Sequence, residues 1–326
     1  MDPQPPAATV IVATRGPEPR LRRLLDSLAL QTAGHETIVV DNGSPGGVVG
    51  AVCADYDFAR SIRLERNAGF SAPVNLAARE AAGEALVLIN DDCVCDGDYV
   101  ERVVAALDPG AGIVMAASVM RDVADPTLID SAGMELDPTL LVYDYLNGYP
   151  LTVLAEAPRD PIGPSAAAAA FDRAAFLEVG GFDERIFAYW EDVDLVLRLR
   201  RAGGRCRLAA DAGGTHEHSA TLGSGSAAKN YLTGWGRGYT LRKWGVLSSP
   251  RRVASVLARE TVICAGQAAI DRNIAGLRGR VRGWRAGEGT APLPYPTDLA
   301  TAGGGSPLVR NLGRRLARRR RLAARG

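Results

Sequence analysis

Short apolar runs alternate with amphipathic segments along residues 9–119, and this alternation constrains the fold more than any other feature of the chain. After the first run, for example, Leu21, Leu24 and Leu28 recur at helical spacing. Strands that alternate with helices form parallel βαβ units with right-handed crossovers. The sequence therefore predicts an α/β fold, a doubly wound and mainly parallel sheet with helices on both faces. The strands that we assign are residues 9–13, 37–40, 61–64, 85–89 and 112–119.

Polar residues stand at the carboxyl ends of the predicted strands. The clearest case is the apolar run 85–89, which stops abruptly at Asn90, Asp91 and Asp92. In open α/β sheets, ligands bind in the crevice at the carboxyl ends of the strands. An acidic pair at such a point also suits capping of the next helix, so the pair alone leaves both interpretations open. The other strand-end residues are Thr14, Arg15, Asp41, Asn42 and Asn67.

The regular alternation stops after residue 121. Residues 122–161 are rich in Pro, Asp and Tyr, which favours loops and a hairpin. A helix is then predicted from Asp192 to Gly203, with acids in its first turn, Arg in its last turn and Gly at its end. Acids in a first turn are sound helix design, so they do not by themselves indicate a function. Residues 98–101 similarly resemble a capping box, with Asp98 as the cap.

Two of the three histidines, His216 and His218, follow a short predicted strand at residues 207–209. Alternate residues on a strand face the same way, so the two imidazoles suit a shared ligand, although one facing a site and the other facing solvent fits equally well. The five cysteines are odd in number and scattered, which indicates reduced thiols. Cys93 and Cys95 have no second pair at zinc-site spacing, so a zinc centre is not predicted.

Composition places the chain among ordinary globular proteins. Its 326 residues are 47% hydrophobic, enough for a large core. No uninterrupted apolar run reaches the about 18 residues of a spanning helix, and the first residues lack the positive charge and apolar core of a signal peptide. These features predict a cytoplasmic protein.

The C-terminal part of the sequence is strongly basic. Residues 272–326 contain thirteen Arg and only two acids, a net charge of +11. In the tail, residues 309–326, leucines alternate with Arg at helical spacing, which favours a basic amphipathic helix on an anionic membrane surface. A solvated disordered tail and a nucleic-acid contact are the alternatives, and nucleic acid is the least favoured. We therefore divide the chain into an α/β domain (1–245), a helical extension (246–288), a Pro/Gly linker (289–308) and this tail.

Taken in order, seven motifs resemble those of the family-2 glycosyltransferases with a GT-A fold, of the bacterial rhamnosyltransferase-like kind. The resemblance covers residues 8–245 and rests on the order and spacing of the motifs, since each one alone is weak. It implies an inverting enzyme that moves a sugar from a nucleoside-diphosphate sugar to a hydroxyl of a glycan or lipid-linked acceptor, in cell wall polysaccharide biosynthesis. The motifs are TVIVA with Thr14 (9–14), VVDNGS (39–44), NAGFS with Asn75 (67–75), LINDD (88–92), GGFDE (180–184), EDVD (191–194) and HEHSAT (216–221).

The resemblance implies donor-binding roles for several strand-end residues. Thr14 and Asp41 would hold the nucleotide base, with Asp41 accepting a hydrogen bond from a ring N–H. Asn67 and Gly69 would line the loop near the nucleotide. These residues stand at the ends of three different predicted strands, so the fold has to bring them together.

The resemblance also implies a divalent metal, Mn²⁺ or Mg²⁺. Asn90 and Asp92 take the places of the family's Asp-x-Asp motif, so Asp92 would bind the metal together with the donor diphosphate. Asn90 replaces the first acid of the strict motif, so this position offers an amide where the strict motif has a carboxylate. Asp91, between the two, is assigned to the donor-side loop. His216 is preferred to His218 as a further metal ligand because of its place before Ser-Ala-Thr.

The same resemblance implies a general base. Asp192 would take the proton from the acceptor hydroxyl, and Glu191 would orient the acceptor or Asp192. A single displacement of this kind inverts the anomeric centre. The family's acceptor-side Arg-Asn pair has no match in residues 234–238 (GWGRG), which puts the acceptor contacts of that segment in doubt.

Two alternatives stay open at this point, a sugar nucleotidyltransferase and a non-catalytic module that binds sugar nucleotides. A nucleotidyltransferase calls for a Gly-rich, Lys-containing loop after the first strand, and residues 14–17 hold one Gly and no Lys. A degenerate module is disfavoured because Asp92, Asp192 and His216 are all present. A dinucleotide-binding domain lacks its Gly-x-Gly-x-x-Gly fingerprint after the first strand.

Overall fold

The structure is a computed structural model that describes residues 6–16, 18–217, 223 and 225–295. His218 and the predicted tail at 309–326 lie outside these residues, as does most of the predicted linker. The strands are β1 (Ala8–Thr14), β2 (His35–Asn42), β3 (Ala59–Leu64), β4 (Ala85–Ile89), β5 (Cys93–Cys95), β6 (Ile113–Asp122), β7 (Asp125–Ser131), β8 (Met134–Leu136), β9 (Val142–Asp144), β10 (Ala168–Asp172) and β11 (Arg205–His216). The helices are α1 (Glu18–Leu28), α2 (Val48–Cys53), α3 (Ser71–Glu80), α4 (Tyr99–Ala105), α5 (Arg173–Glu178), α6 (Glu191–Arg201), α7 (Ala227–Lys243), α8 (Pro250–Ile270) and α9 (Ala275–Ala286).

The central sheet has the strand order β3-β2-β1-β4-β10-β6-β11-β5, with β7 paired to β6. Six of these strands run parallel to one another, and β10, β5 and β7 run antiparallel to their neighbours. The predicted α/β class with a mainly parallel sheet is therefore confirmed. Within β1, Ile11 packs in the core on one face while Val10 and Val12 pack on the other. Burial on both faces explains why the strands read as continuous apolar runs.

Residues 122–161, where the alternation of strands and helices stops, contain the predicted hairpin, which is formed by β8 and β9. It also contains β7, which extends the sheet beside β6. The alanine run that follows forms β10, inserted between β4 and β6. Ala169 and Ala170 are completely buried there, so small side chains let the helices on either face approach the sheet closely.

Asp98 occupies the N-cap position of α4 as predicted, but it does not form the side-chain contact of a capping box. Its side chain accepts no capping hydrogen bond from the helix and instead pairs with Arg102, Oδ2 to Nε 2.6 Å. Gln31 serves the helix start, because its Oε1 accepts a hydrogen bond from the backbone N–H of Val100 at 2.9 Å. A long-range side chain has taken the place of the local cap.

Helices α7 and α9 pack backbone to backbone through glycines. A Cβ added at Gly234 would lie 2.1 Å from the carbonyl oxygen of Gly276, and one added at Gly283 would lie 1.9 Å from that of Trp235. The glycines of residues 234–238 thus serve helix packing. The helical segment predicted after residue 246 is present as two helices, broken at residues 271–274.

Candidate active site

The carboxyl ends of β4 and β11 bring Asp92 and His216 together. Strand β5 follows β4 directly and pairs antiparallel with β11, which places Cys93 opposite His216. The backbone N–H of Glu217 donates to the carbonyl of Asp92 at 2.9 Å. As a result, His216 Nε2 lies 3.4 Å from Asp92 Oδ1. Both side chains are largely buried, with 9% and 7% of their surface exposed.

Asp130, on β7, fixes the imidazole from the other side. His216 Nδ1 lies 2.8 Å from Asp130 Oδ2, and Asp130 is 2% exposed. A carboxylate that is hydrogen-bonded to one ring nitrogen fixes the tautomer and the orientation of the imidazole ring, as is usual for metal-binding histidines. Sequence reasoning missed Asp130, which lies in the segment that it assigned only to loops and a hairpin. A single acid in the apolar stretch Leu128-Ile129-Asp130 is the one signal that the sequence offers.

The two carboxylates govern the protonation of the imidazole. Burial lowers the pKa of His216, but the hydrogen bonds and charges of Asp130 and Asp92 outweigh it and raise the pKa to about 10. The ring is then an imidazolium at neutral pH. A cation that binds to Nε2 has to displace this proton, so its affinity must increase with pH.

Asp92 and His216 suit a divalent cation. Asp92 Oδ1 is buried and, apart from the contact with His216 Nε2 at 3.4 Å, has no hydrogen-bond partner, so it can accept a further ligand. Within the described residues, the ligand atoms of Asp92, Cys93 and His216 all lie within 4.8 Å of one another. Burial raises the pKa of the Cys93 thiol well above its usual range, and its Sγ lies 3.6 Å from the carbonyl oxygen of Ala167, which keeps it a protonated donor. The carboxylate and the imidazole are therefore the candidate protein ligands of this cluster, and a divalent cation commonly takes its other ligands from phosphate oxygens and water.

Asp41 lies at the end of β2 with both carboxylate oxygens engaged. Its Oδ1 accepts from the backbone N–H of Ser44 at 2.7 Å, and its Oδ2 accepts from Arg63 Nη1 at 2.8 Å. Asp41 is 1% exposed, so these donors hold the carboxylate in place. Each oxygen can accept a further hydrogen bond, and the predicted contact with a ring N–H is compatible with this arrangement.

Thr14 and Asp91 bind each other across the sheet edge. The Thr14 hydroxyl donates to Asp91 Oδ2 and accepts from the backbone N–H of Gly16 at 2.9 Å. Burial raises the pKa of Asp91 to about 6 against the opposing effect of this hydrogen bond. The contact joins the ends of β1 and β4, so both residues shape the donor side of the crevice.

The loop that holds Asn67 and Gly69 is tied to β2 by Asn42. Asn42 Nδ2 donates to Gly69 O at 2.6 Å and to Asn67 Oδ1 at 3.1 Å. Gly69 has φ +84°, and an added Cβ would lie 2.2 Å from the carbonyl oxygen of Phe187. The structure thus gives Gly69 a packing role, between the donor-side loop and the segment that leads into α6.

Glu191 and Asp192 begin α6 after two residues with left-handed backbone, Tyr189 (φ 66°) and Trp190 (φ 81°). Such a conformation is costly for residues other than glycine and is typical of functional sites. The Asp192 oxygens accept hydrogen bonds from the backbone N–H groups of Val193 (2.8 Å) and Ala166 (3.4 Å). Glu191 Oε2 is buried without a hydrogen-bond partner. The turn therefore presents one carboxylate that is held and one that is unsatisfied.

Burial raises the pKa of both carboxyls, that of Glu191 to about 8. The negative charge of Asp192 raises the pKa of Glu191 further. At Asp192, hydrogen bonds from backbone N–H groups act in the opposite direction to burial and lower the pKa. At neutral pH the pair accordingly holds a proton on Glu191. The charges of Glu191 and Asp92 both raise the pKa of Tyr189, which reaches about 12, mainly through burial.

We expect Glu191→Gln to make the folded protein less sensitive to alkaline pH. A carboxyl whose folded pKa is raised stabilises the fold at low pH, and this contribution is lost as pH rises from its unfolded value of 4.5 through about 8. The Tm of Glu191→Gln should therefore exceed the wild-type Tm at about pH 9 and match it at about pH 5. Glu178→Gln, which changes an exposed carboxylate, is the control and should follow wild type at both values. Equal pH profiles for Glu191→Gln and wild type would contradict the assignment.

The third acid of this motif, Asp194, has a structural role. It is completely buried and accepts hydrogen bonds from Arg198 Nε (2.8 Å), Lys243 Nζ (2.8 Å) and Trp244 Nε1 (3.0 Å). These contacts join α6 to the end of α7. Asp194 accordingly positions the turn that carries Glu191 and Asp192.

Known proteins share both the sequence pattern and the fold. The model of glycosyl transferase family 2 matches residues 9–173, about half of the chain. An N-acetylglucosaminyl-diphospho-decaprenol L-rhamnosyltransferase of Mycobacterium tuberculosis is 30% identical over 60% of this chain and 70% of its own. The O-antigen biosynthesis protein RfbC of Myxococcus xanthus is 28% identical over 66% of this chain, which spans only 18% of that relative.

Solved structures of glycosyltransferases share the fold. GalNAc-T7 with UDP, GalNAc and Mn²⁺ superposes with a TM-score of 0.61 at 14% identity, covering 87% of this chain and 55% of its own. The mannosyltransferase PcManGT of Pyrobaculum calidifontis, in complex with GDP-Man and Mn²⁺, gives a TM-score of 0.52 at 19% identity, covering 96% and 80%. The central sheet is thus that of a GT-A glycosyltransferase, and the chain belongs to glycosyl transferase family 2.

Proposed function

We propose that the chain is an inverting, metal-dependent glycosyltransferase that moves a hexose-type sugar from a nucleoside-diphosphate sugar to a hydroxyl of a glycan or lipid-linked acceptor. The observation that carries the proposal is the pairing of two arrangements on one family-2 fold. One is the unsatisfied Asp92 carboxylate beside His216, and the other is the buried acid pair that begins α6. The first suits a cation that carries a diphosphate, and the second suits a base for an alcohol.

On the donor side, Asp41 accepts a hydrogen bond from a ring N–H of the base. The hydrogen bond between Thr14 and Asp91 holds the ends of β1 and β4 together beside it. Asn67, Gly69 and Asn90 line the donor-side loops. Asp92 and His216 hold Mn²⁺ or Mg²⁺, and the imidazole favours Mn²⁺. When bound, the cation supplies neutralisation of the charge on the departing diphosphate.

On the acceptor side, Asp192 accepts the proton of the attacking hydroxyl. The acceptor oxygen forms a bond to the anomeric carbon while the bond from that carbon to the diphosphate oxygen breaks, so one displacement inverts the centre. Glu191, which is protonated at neutral pH, can donate a hydrogen bond to the acceptor and so orient it. Raised pKa values from burial are a common device for matching acids and bases to such tasks.

The relatives support the proposal for the acceptor. The mycobacterial relative is named for an acceptor on a decaprenol diphosphate, and the Myxococcus relative for O-antigen biosynthesis. The first name describes a lipid-linked sugar, and the second a polysaccharide of the cell surface. We therefore place this chain in cell-surface polysaccharide assembly, acting at the cytoplasmic side of the membrane on which such an acceptor is held.

A donor screen tests the proposal without knowledge of the acceptor. We expect one nucleoside-diphosphate sugar to raise the Tm in the presence of Mn²⁺, because a ligand that binds only the folded state stabilises it by mass action. At about 100 times its Kd the expected stabilisation is about 2.7 kcal/mol. The same sugar without its nucleotide is the control and should give no shift. Failure of every nucleotide-sugar to shift the Tm would contradict the donor assignment.

A further inference from the structure

From Ala254 to Ile270, the solvent-facing side of helix α8 carries no charged residue. Charged residues normally occupy the solvent face of a surface helix. Between Arg251 and Asp271, every exposed side chain is apolar or small, and Leu257 and Val262 are more than half exposed. The exposed residues of α8 in this stretch are Ala254, Leu257, Ala258, Thr261, Val262, Ala265, Ala268, Ala269 and Ile270.

The two charged residues in the middle of α8, Arg259 and Glu260, form ion pairs with the rest of the protein. Arg259 Nε lies 3.1 Å from Asp137 Oδ2, and Glu260 Oε1 lies 2.7 Å from Arg237 Nε. By length and composition α8 is long and apolar enough to cross a membrane, alone among the described helices. These ion pairs near its middle would be broken by insertion across a bilayer, and their loss in hydrocarbon is costly. The helix is therefore suited to lie along an apolar surface, with its solvent-facing side in contact with that surface.

Exposed basic residues stand at both ends of α8 and on the following helix. Arg251 at the start of α8 is exposed, as are Arg272, Arg278 and Arg282 after it. Within the described stretch 250–287, no acid is exposed. Leu277 and Val281, on α9, stand exposed beside these arginines. An apolar strip bordered by Arg matches the interface of an anionic bilayer, where the apolar side chains enter the acyl boundary and Arg meets the headgroups.

The charge of this surface also disfavours a second copy of the chain as its binding partner. A two-fold contact through this surface would place like charges of the two copies opposite each other. Juxtaposed like charges oppose association, whereas anionic headgroups attract the same arginines.

We infer that the outer side of α8 is a membrane-docking surface for anionic lipid. Its inner side leads to the proposed base, because Arg237, which pairs with Glu260, also stacks over the ring of Trp190 at 5.2 Å. Trp190 directly precedes Glu191. On the proposed function, this docking would hold the acceptor side of the crevice near a lipid-linked acceptor. The inference differs from the tail prediction, since it assigns the contact to described residues on α8.

Vesicle flotation with the full chain, without donor or metal, tests the inference. We expect the wild-type protein to float with vesicles of phosphatidylcholine mixed with phosphatidylglycerol. Leu257→Glu and Val262→Glu should each weaken binding about tenfold, because a buried apolar group is lost and a negative charge is added at an anionic surface. Leu30→Glu makes the same change at a residue that is 75% exposed outside this surface, and it should bind like wild type.

Two results would overturn the inference. Equal flotation of the α8 variants and wild type would place the lipid contact elsewhere, for instance in residues 296–326. A wild-type protein that ignores the vesicles and forms a dimer that Val262→Glu dissociates would assign the surface to a second copy. Tm values of all variants within the wild-type range confirm that folding is not the cause. Because no sugar is present, this outcome is independent of the donor screen.

Discussion

Replacing Asp192 by Asn is expected to lower kcat by about 10²–10⁴-fold, the usual contribution of a positioned general base. The amide keeps the size of the side chain but cannot accept the acceptor's proton. The backbone N–H of Val193 can still donate to the amide oxygen, whereas the longer contact of the Ala166 N–H with the other carboxylate oxygen is lost, so the start of α6 should keep the shorter of its two hydrogen bonds. Donor affinity should not change, because the base meets the acceptor. Steady-state kinetics and donor titration measure the two effects separately.

Two matched variants sharpen this experiment. Asp211→Asn changes an exposed carboxylate that pairs with Arg102 on the surface, and its kcat should equal that of wild type. Glu191→Gln imitates the protonated form of Glu191 and should retain far more activity than Asp192→Asn. If Asp192→Asn turns over at the wild-type rate, Asp192 is not the base. If Glu191→Gln loses more activity than Asp192→Asn, the roles of the two acids are reversed.

Replacing Asp92 by Asn is expected to lower kcat/KM by at least about 10²-fold, since a bound cation supplies several kcal/mol of charge stabilisation. The substitution removes the one carboxylate that is buried, unsatisfied and within 3.4 Å of His216 Nε2. It should also abolish the Mn²⁺ dependence of the donor-induced rise in Tm. Thermal shift across a Mn²⁺ titration, with wild type beside it, measures this dependence.

The neighbouring acid provides the control for Asp92. Asp91 is hydrogen-bonded to Thr14 and is not among the candidate metal ligands around Asp92 and His216. Asp91→Asn should therefore keep the wild-type affinity for Mn²⁺. Asp130→Asn should weaken that affinity about 10–100-fold, as loss of the partner of a metal-binding histidine does. An unchanged Mn²⁺ dependence in Asp92→Asn, or its loss in Asp91→Asn, would contradict the assignment.

The fold was predictable from sequence because its information is local. Buried parallel strands appear as apolar runs, and the amphipathic spacing of α1 appears between the first two of them. The exception is β10, whose alanines have the highest helix propensity of any residue. Its position between β4 and β6 is decided by the sheet, which needs small side chains there, and tertiary packing overrides the local preference.

The candidate site was predictable only in part. Asp92 and His216 could be named through motifs, and the β5–β11 ladder explains why they meet. Asp130 and Asn42 act through partners that are distant in sequence, so a strand-end position for Asn42 and an apolar neighbourhood for Asp130 do not reveal what they contact. The outer side of α8 is another case. Its apolar residues fit a core-facing helix equally well, and only the structure shows that they are exposed.

The configuration of the transferred sugar tests the central claim most directly. Once the donor and an acceptor are identified, the proton NMR spectrum of the product gives the anomeric configuration, which the new glycosidic bond fixes. The account predicts that the product has the opposite configuration to the donor, since Asp192 acts as a base in a single displacement. A product with the configuration of the donor would contradict it.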